Sequence, residues 1–98
     1  MSQDDIVFKA LADSTRRIIL TELSERHEQT LYELRARLIM RHNIEISRQG
    51  IEKHLKVLEK AGLVKFGRRG RFKMLFFIDE PIKRINRCWF SRFLEKSD

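Results

Sequence analysis

The chain has 98 residues, of which 42% are hydrophobic and 36% are charged, and its net charge is +7. This length suits one domain with a modest core, and the composition excludes a largely disordered chain. The longest apolar runs are a few residues and the first residues lack the pattern of a signal peptide, so we expect neither a membrane span nor export. The single cysteine, Cys88, cannot form an internal disulfide, which fits a reducing cytoplasm.

The excess positive charge is confined to one stretch of the chain. Residues 47–73 contain nine Lys or Arg and two Glu, whereas the rest of the chain contains twelve basic and twelve acidic residues. Basic charge that is gathered in one segment is typical of a surface that binds a polyanion such as nucleic acid. This stretch is therefore the first candidate for a functional site.

Residues 4–12 predict a short first helix, which Asp4 or Asp5 can cap. Its apolar residues, among them Ile6, Phe8 and Leu11, fall on more than one face of the helix. We therefore expect this helix to be buried on two sides, against the core and against a partner.

Asp13 is predicted to cap a second helix, which runs from Ser14 to about Glu25. Arg16 and Arg17 lie in its first turn, where the helix dipole disfavours cations. These arginines form either surface ion pairs or contacts to phosphate, and the sequence favours neither interpretation.

After a polar break at residues 27–29, a third helix is predicted to run to about Arg41. Thr30 followed by Glu33 matches a capping box, and Asn43 suits a left-handed stop. The inner face of this helix is predicted to contain four apolar residues: Leu31, Leu34, Leu38 and Ile39.

The next helix, at about residues 48–61, has two chemically distinct faces. Ser47 is a good N-cap, and Gly62 suits a left-handed C-cap. One face is apolar and contains Ile51, Leu55 and Leu58. The opposite face contains one amide and three lysines: Gln49, Lys53, Lys56 and Lys60. A solvated surface is the ordinary interpretation of such lysines. However, Gln49 lies near the N-terminus, where a recognition helix presents side chains to base edges.

Two segments that resemble strands follow, at residues 63–66 and 72–78. Between them, Gly67 and Gly70 can supply positive φ, so residues 67–71 predict the tip of a hairpin. One face of the second strand is predicted to pack on the core rather than stack on bases: Phe72, Met74, Phe76 and Ile78. Three arginines of the tip have no acidic neighbours in the sequence and suit a wing on a phosphate backbone or in a minor groove: Arg68, Arg69 and Arg71.

The last helix is predicted at residues 81–96, where Pro81 suits the first helical position. Its apolar residues exceed what a terminal helix of a small domain needs, and such excess usually marks an interface. We therefore predict a homodimer seam, made by residues 4–12 and 81–96, with six interface residues: Ile6, Phe8, Leu11, Ile85, Trp89 and Phe93. Cys88 lies beside this stripe, so a buried inert thiol is favoured over a redox switch, although nearby arginines keep the second interpretation open.

These elements predict a mainly α fold with a small β-hairpin (α+β), in the order α-α-α-α-β-β-α, as one domain over residues 1–98. Three stretches of this sequence resemble winged helix-turn-helix regulators of the ArsR family: FKALADSTRRIIL at 8–20, SRQGIEKHLKVLEKAGLV at 47–64 and RRGR at 68–71. The resemblance implies a homodimeric transcriptional regulator, most often a repressor, that is paired through its terminal helices.

Many members of the ArsR family sense metals, through cysteine pairs on the third helix or Asp/His sets on the last. Here the third helix has no cysteine and the last has no histidine, and His27, His42 and His54 are scattered. A tetrahedral site needs about four convergent ligands. We therefore predict neither a metal site nor a cofactor, and the sequence does not indicate an effector.

The predicted function is binding of double-stranded DNA by a symmetric dimer in the cytoplasm, at an inverted-repeat operator whose major grooves lie about 34 Å apart. Arg48 can pair with guanine and Gln49 with adenine. The other residues predicted to bind DNA are Ser47, Lys53, His54, Lys56, Arg68, Arg69 and Arg71. One alternative is a winged-helix adaptor that binds protein or RNA. An enzyme is not supported, because a phosphate loop, a carboxylate pair and a nucleophile beside a base are all absent from the sequence.

Overall fold

The computed structural model describes residues 1–26 and 28–94. The predicted break therefore includes one residue outside the description, His27, and the predicted seam includes two more, residues 95–96. Within the described ranges the elements follow in this order: α1 (Gln3–Leu11), α2 (Ser14–Glu25), β1 (Gln29–Thr30), α3 (Leu31–His42), α4 (Arg48–Lys60), β2 (Val64–Arg69), β3 (Phe72–Phe77), α5 (Glu80–Ile85), a π-helical turn (Asn86–Phe90) and α6 (Ser91–Leu94). None of these helices combines the length and apolarity that a bilayer crossing needs.

Side-chain caps define where the helices begin. Asp13 accepts a hydrogen bond from the backbone N–H of Arg16 at 3.0 Å, as predicted for α2. In the capping box of α3, the Thr30 hydroxyl accepts from the backbone N–H of Glu33, and the Glu33 carboxylate accepts from the backbone N–H of Thr30. These hydrogen bonds lower the pKa of Glu33. Asn43 ends this helix in the left-handed conformation, with φ of 54°. These predictions from local sequence are confirmed.

The cap of α1 differs from the prediction. Ser2 begins the helix, because its hydroxyl accepts from the backbone N–H of Asp5 at 3.1 Å. Asp4 is used elsewhere: one of its carboxylate oxygens accepts two hydrogen bonds from Arg84, at 3.0 and 3.2 Å. This ion pair ties the start of the chain to α5.

One apolar core joins all five major helical segments and the sheet. Its buried side chains come from α1 to α5 and from the two long strands, and include Val7, Ile19, Leu23, Leu34, Leu38, Ile51, Leu55, Leu58, Leu63, Leu75 and Ile85. The predicted inner face of α3 is wrong at one position, since Ile39 is 39% exposed. Ile39 lies one residue beyond the buried Leu38, which is about 100° around the helix.

The sheet has three antiparallel strands in the order β1-β3-β2. Strand β1 was not predicted, because two residues carry no detectable periodicity. Val64 pairs with Phe77 and Phe66 with Leu75, so these four side chains share one face, and that face packs on the core. The predicted core face of β3 is therefore wrong for Phe72, which is 59% exposed, but Met74 of that face is buried. Leu75 and Phe77 of the opposite face pack on the core.

A polar network that was not predicted from the sequence joins α2, β1 and α3. The carboxylate of Glu22 is 1% exposed and accepts from His42 Nε2 at 2.7 Å and from Arg41 at 3.3 Å. Gln29 is also 1% exposed; its amide donates to the carbonyls of Glu22 and Arg26 and accepts from Arg37. Every buried polar atom of this network is thus paired, which fixes α2, β1 and α3 relative to one another.

Candidate nucleic-acid interface

Helix α4 has its apolar face in the core and its polar face in solvent. Ser47 accepts from the backbone N–H of Gly50 at 3.0 Å, which confirms the predicted N-cap. Ile51, Leu55 and Leu58 are at most 1% exposed. The four polar residues of the opposite face are all exposed: Gln49, Lys53, Lys56 and Lys60. At the other end Gly62 adopts φ of 76°, so the chain leaves the helix and turns into β2.

The loop before α4 is held by two close contacts. Arg35 of α3 donates from Nε to the carbonyl of Ile46 at 3.0 Å. A side chain at Gly50 would meet the Ile46 side chain at 3.0 Å, so glycine lets the loop pack against the first turn of α4. These contacts fix the angle at which α4 leaves α3, and hence which side chains it presents.

The first residue of α4 has a weak internal partner. Arg48 lies 3.5 Å from Glu52, one turn away, and its side chain is 75% exposed. An exposed pair at this distance contributes little and can exchange for another anion. The Ser47 hydroxyl acts as the cap acceptor, and this leaves its proton free to be donated outward.

His54 is turned away from the lysines of α4 toward α1 and α2. Its Nδ1 lies 3.2 Å from the guanidinium of Arg16, and because arginine only donates, this nitrogen is the acceptor. Arg16 also donates to the carbonyl of Ala10 at 2.7 Å, and Arg17 donates to that of Leu11. Both arginines therefore cap the C-terminus of α1, and Arg16 also forms the expected ion pair with Asp13, at 3.9 Å. The alternative of a phosphate contact stays a prediction.

The tip of the hairpin is shorter than predicted. Arg69 pairs with Phe72 across the strands, so only Gly70 and Arg71 form the loop, and Gly70 adopts φ of 61°. Gly67 lies within β2 and does not have positive φ, which corrects the predicted tip. A side chain there would meet the ring of Phe76 at 2.8 Å, which explains why glycine is present.

The three hairpin arginines have different surroundings. Arg69 forms an ion pair with Glu28, which precedes β1, so the fold gives it an acidic partner that is distant in the sequence. Arg68 lies directly opposite Lys73 on the neighbouring strand. Arg71 lies in the exposed turn.

Most cationic side chains of α4 and the hairpin have no carboxylate partner among the described residues. Among the described residues, seven of them make neither a hydrogen bond nor an ion pair; we call this set the cationic surface: Lys53, Lys56, Lys60, Lys65, Arg68, Arg71 and Lys73. Lys65 and Lys73 belong to the basic stretch but were not predicted as site residues. Tyr32 and Arg35, which were not predicted either, lie near the start of α4, and Tyr32 is 82% exposed at a position outside the apolar stripe of α3.

A second exposed feature lies where the two ends of the chain meet. Phe8 of α1 packs edge-on against Trp89 at 5.5 Å, and Trp89 packs against Phe90 and Phe93 at 5.0 Å each; we call these four residues the aromatic cluster. Trp89 remains 46% exposed and Phe93 58%. Of the predicted seam residues, Ile85 is 3% exposed and fills the core of its own chain, while Ile6, Phe8 and Leu11 pack partly against that core.

Cys88 lies in the π-helical turn and is exposed, so the prediction of a buried thiol is wrong for the isolated chain. Over residues 1–26 and 28–94, the structure brings together no group of three His, Cys, Asp or Glu side chains that could hold a metal ion.

Comparison with known proteins identifies the family. Residues 11–65 match the family model described as a helix-turn-helix domain. The uncharacterized HTH-type transcriptional regulator YuzN of Bacillus subtilis is 56% identical over 85 residues, covering 87% of this chain and 92% of that protein. The uncharacterized HTH-type transcriptional regulator MJ1325 of Methanocaldococcus jannaschii is 30% identical over 79 residues, covering 81% of this chain and 82% of that protein.

Solved structures agree with this result. A crystal structure of an ArsR family transcriptional regulator superimposes with a TM-score of 0.75 at 28% identity, covering 98% of this chain and 93% of the other. An ArsR-like transcriptional regulator from Rhodococcus sp. RHA1 gives a TM-score of 0.78 at 31% identity, covering 95% and 79%. Both the predicted fold and the predicted family are confirmed. The chain therefore belongs to the helix-turn-helix transcriptional regulators of the ArsR type.

Proposed function

We propose that two copies of this DNA-binding regulator form a homodimer that represses transcription from an inverted-repeat operator. In each copy, α4 enters the major groove and the β2–β3 hairpin lies along the flanking phosphate backbone. The regulator works in the cytoplasm and catalyses no reaction. This combines the family with the charges and exposed surfaces described above.

The observation that supports this proposal best is the cationic surface. Its seven members belong to one helix and the hairpin that follows it, and among the described residues none of them forms an ion pair with a carboxylate. A DNA duplex carries one negative charge per about 1.7 Å of its axis, so such a surface releases counterions when it binds. In contrast, the other basic side chains are mostly used within the fold.

Base reading is assigned to the first turn of α4. Gln49 is exposed and has no partner within the described chain, so its amide is available for the paired hydrogen bonds that adenine accepts and donates. Arg48 can give up its weak contact with Glu52 for guanine. Five residues are assigned to phosphate contacts: Ser47, Lys53, Lys56, Arg68 and Arg71. Arg69 is expected to contribute less to phosphate binding, because Glu28 neutralises its charge. His54 can donate a hydrogen bond to DNA from Nε2, because its Nδ1 accepts from Arg16.

The dimer proposal depends on the aromatic cluster. Four aromatic rings that contact one another in one chain, with about half of the area of Trp89 and Phe93 still exposed, form a patch that water solvates poorly. A C2 interface places the same patch of two copies face to face and so covers both. We assign Ile6, Phe8, Leu11, Trp89 and Phe93 to this seam or to its support.

Substitution of Gln49 by alanine tests base reading. We expect affinity for the operator to fall by about 1–3 kcal/mol, with the loss confined to operators that keep the preferred base at one position. Fluorescence anisotropy of labelled duplexes, each with one base pair changed, measures this. The matched control is Lys53→Ala, one turn further along the same face, which should weaken every duplex alike. An equal loss for Gln49→Ala on operator and random DNA would show that this residue does not read sequence.

Substitution of Phe93 by glutamate tests the dimer. A buried charge in each seam should convert the dimer to a monomer, and operator affinity should fall about a hundredfold because two linked half-sites bind more tightly than one. Light scattering after size exclusion gives the mass. The control is Met40→Glu, because Met40 on α3 is 84% exposed and lies outside the aromatic cluster. A wild-type protein of monomer mass, or a Phe93→Glu variant that remains a dimer, would contradict the seam.

The rival function, a winged-helix adaptor for protein or RNA, predicts a different outcome of the same binding assay. An adaptor would shift no DNA duplex in a salt-dependent manner.

A further inference from the structure

A cleft of about 470 Å³ separates α4 from the hairpin. Its floor is apolar and is formed by Leu31, Leu55, Phe66 and Leu75. Two of these, Leu55 and Leu75, are only 1% exposed, so the floor is continuous with the core. A concave surface of this volume with an apolar floor is typical of a small-molecule site.

Three cations and two carboxylates also line this cleft. Arg48 and Lys56 approach from α4 and Lys73 from β3, with Glu52 and Glu59 on the α4 side. A second recess of about 350 Å³ shares Leu31, Arg48 and Lys73 with the first and continues toward the hairpin turn. We call the two together the wing cleft.

The second recess is the more cationic half of the wing cleft. Arg35 and Arg71 line it in addition to the shared Arg48 and Lys73, and none of its described lining residues is acidic. The rings of Tyr32 and Phe72 complete its wall. The wing cleft is thus apolar at one end and positively charged at the other.

The hairpin itself carries an unfavourable charge pair beside this cleft. Arg68 and Lys73 lie directly opposite one another on β2 and β3, so their side chains project from the same face. Like charges in this position destabilise a strand pair. Lys73 lies 4.3 Å above the ring of Phe66, which brings its charge over the apolar floor. An anion bound here would relieve the repulsion.

We propose that the wing cleft binds a small amphipathic organic anion. Its ring or aliphatic chain lies on the floor formed by Leu31, Phe66 and Leu75, and its carboxylate or phosphate head lies among Arg48, Arg71 and Lys73. An inorganic anion would leave the apolar floor in water, and a neutral molecule would leave the cations unmatched. The class of ligand therefore follows from the two halves of the cleft.

The consequence for regulation rests on the proposed function. Arg48 lines the wing cleft and is also assigned to the operator, so one Arg48 cannot serve both. Lys56 is shared in the same way. The anion and the operator therefore exclude each other, and the anion acts as an inducer.

The first experiment uses the wild-type protein without DNA and three probes: 1-naphthoate, the neutral 1-naphthalenemethanol, and inorganic phosphate. Amide shifts in ¹H–¹⁵N NMR spectra locate where each probe binds. We expect saturable shifts at Leu31, Phe66 and Lys73 with naphthoate, and far smaller ones with the other two. Shifts confined to the aromatic cluster, or equal shifts with inorganic phosphate, would overturn the proposal.

Two lysine variants keep the test specific. Lys73→Ala should raise the Kd of naphthoate about fivefold or more, because it removes a charged contact over the floor. Lys65→Ala removes the same charge from the opposite face of the hairpin, where Lys65 pairs with Phe76, and should leave this Kd unchanged. Equal effects of the two variants would indicate general electrostatic attraction and would overturn the site.

The second experiment adds the operator. Naphthoate should displace the wild-type protein from labelled operator, and Lys73→Ala should require about fivefold more naphthoate for the same displacement. If the protein binds the operator but naphthoate binds the wing cleft without displacing it, the inducer role fails and the proposed function stands. If the chain binds no duplex, the proposed function fails, and the NMR titration alone decides whether the cleft binds anions.

Discussion

The arginines of α2 and α3 and the cations of α4 and the hairpin are chemically alike, but the fold uses them differently. All five arginines of α2 and α3 donate to protein acceptors: Arg16, Arg17, Arg35, Arg37 and Arg41. Of the nine cations in residues 47–73, only Arg48 and Arg69 have a carboxylate partner among the described residues. The difference teaches that unpaired charge, rather than charge itself, separates a binding surface from the scaffold that supports it.

This comparison predicts that removing cations of the two groups has different effects. The triple variant Lys53→Ala, Arg68→Ala and Arg71→Ala should lose about a hundredfold or more in operator affinity at 0.1 M salt, because each of the three removed side chains is expected to contact a phosphate. Its melting temperature should not fall, and relief of the repulsion between Arg68 and Lys73 favours a slight rise. Anisotropy and circular dichroism measure the two quantities. A marked loss of stability would mean that these cations belong to the scaffold.

The scaffold side of the comparison is tested at Glu22. Replacing this buried carboxylate by alanine should lower the free energy of unfolding by about 2 kcal/mol, because His42 and Arg41 lose their acceptor and the site is left unfilled. The control is Glu25→Ala: Glu25 contacts the same Arg41 at 3.6 Å but is half exposed, so its loss should cost under about 0.5 kcal/mol. Urea unfolding measures both. Similar losses for the two variants would show that the buried network does not stabilise α2 against α3.

The smallest predicted effect concerns acid sensitivity at Asp13. The hydrogen bond from the backbone N–H of Arg16, aided by the charge of Arg16, holds the pKa of Asp13 below its usual range. Ionised Asp13 therefore contributes stability above the pKa of the unfolded chain, near 4, and this contribution is lost as the pH falls through the lower folded pKa. Asp13→Asn keeps the cap but removes the titration. The difference in unfolding free energy between wild type and Asn variant should shrink from pH 7 to about pH 3; a constant difference would contradict the account.

Local sequence was sufficient to predict α2, α3 and α4 with their caps. Asp13, Thr30, Asn43 and Ser47 act within three or four residues of their own position, so the caps and the two faces of α4 could be inferred without tertiary information. The location of the charge excess was equally visible, because it depends on composition alone.

The sheet and the ion pairs required contacts that are distant in sequence. Residues 74–78 are all apolar, so alternation alone could not decide which side of β3 faces the core; the pairing with β2 and β1 decides it. Arg69 is 41 residues from its partner Glu28, and Glu22 is 20 residues from His42. No local pattern contains these pairs. For this reason the pairing of Arg69 with Glu28 and the buried network around Glu22 could not be predicted from the sequence.

The salt dependence of duplex binding by the wild-type protein tests the central claim most directly. If the cationic surface binds the phosphate backbone, the logarithm of the association constant should fall linearly with the logarithm of salt concentration, with a slope of about −4 or steeper. The triple variant should have a clearly shallower slope on the same duplex. A flat dependence for the wild type, or the same steep slope for both proteins, would contradict the claim that unpaired cations of α4 and the hairpin form the DNA-binding surface.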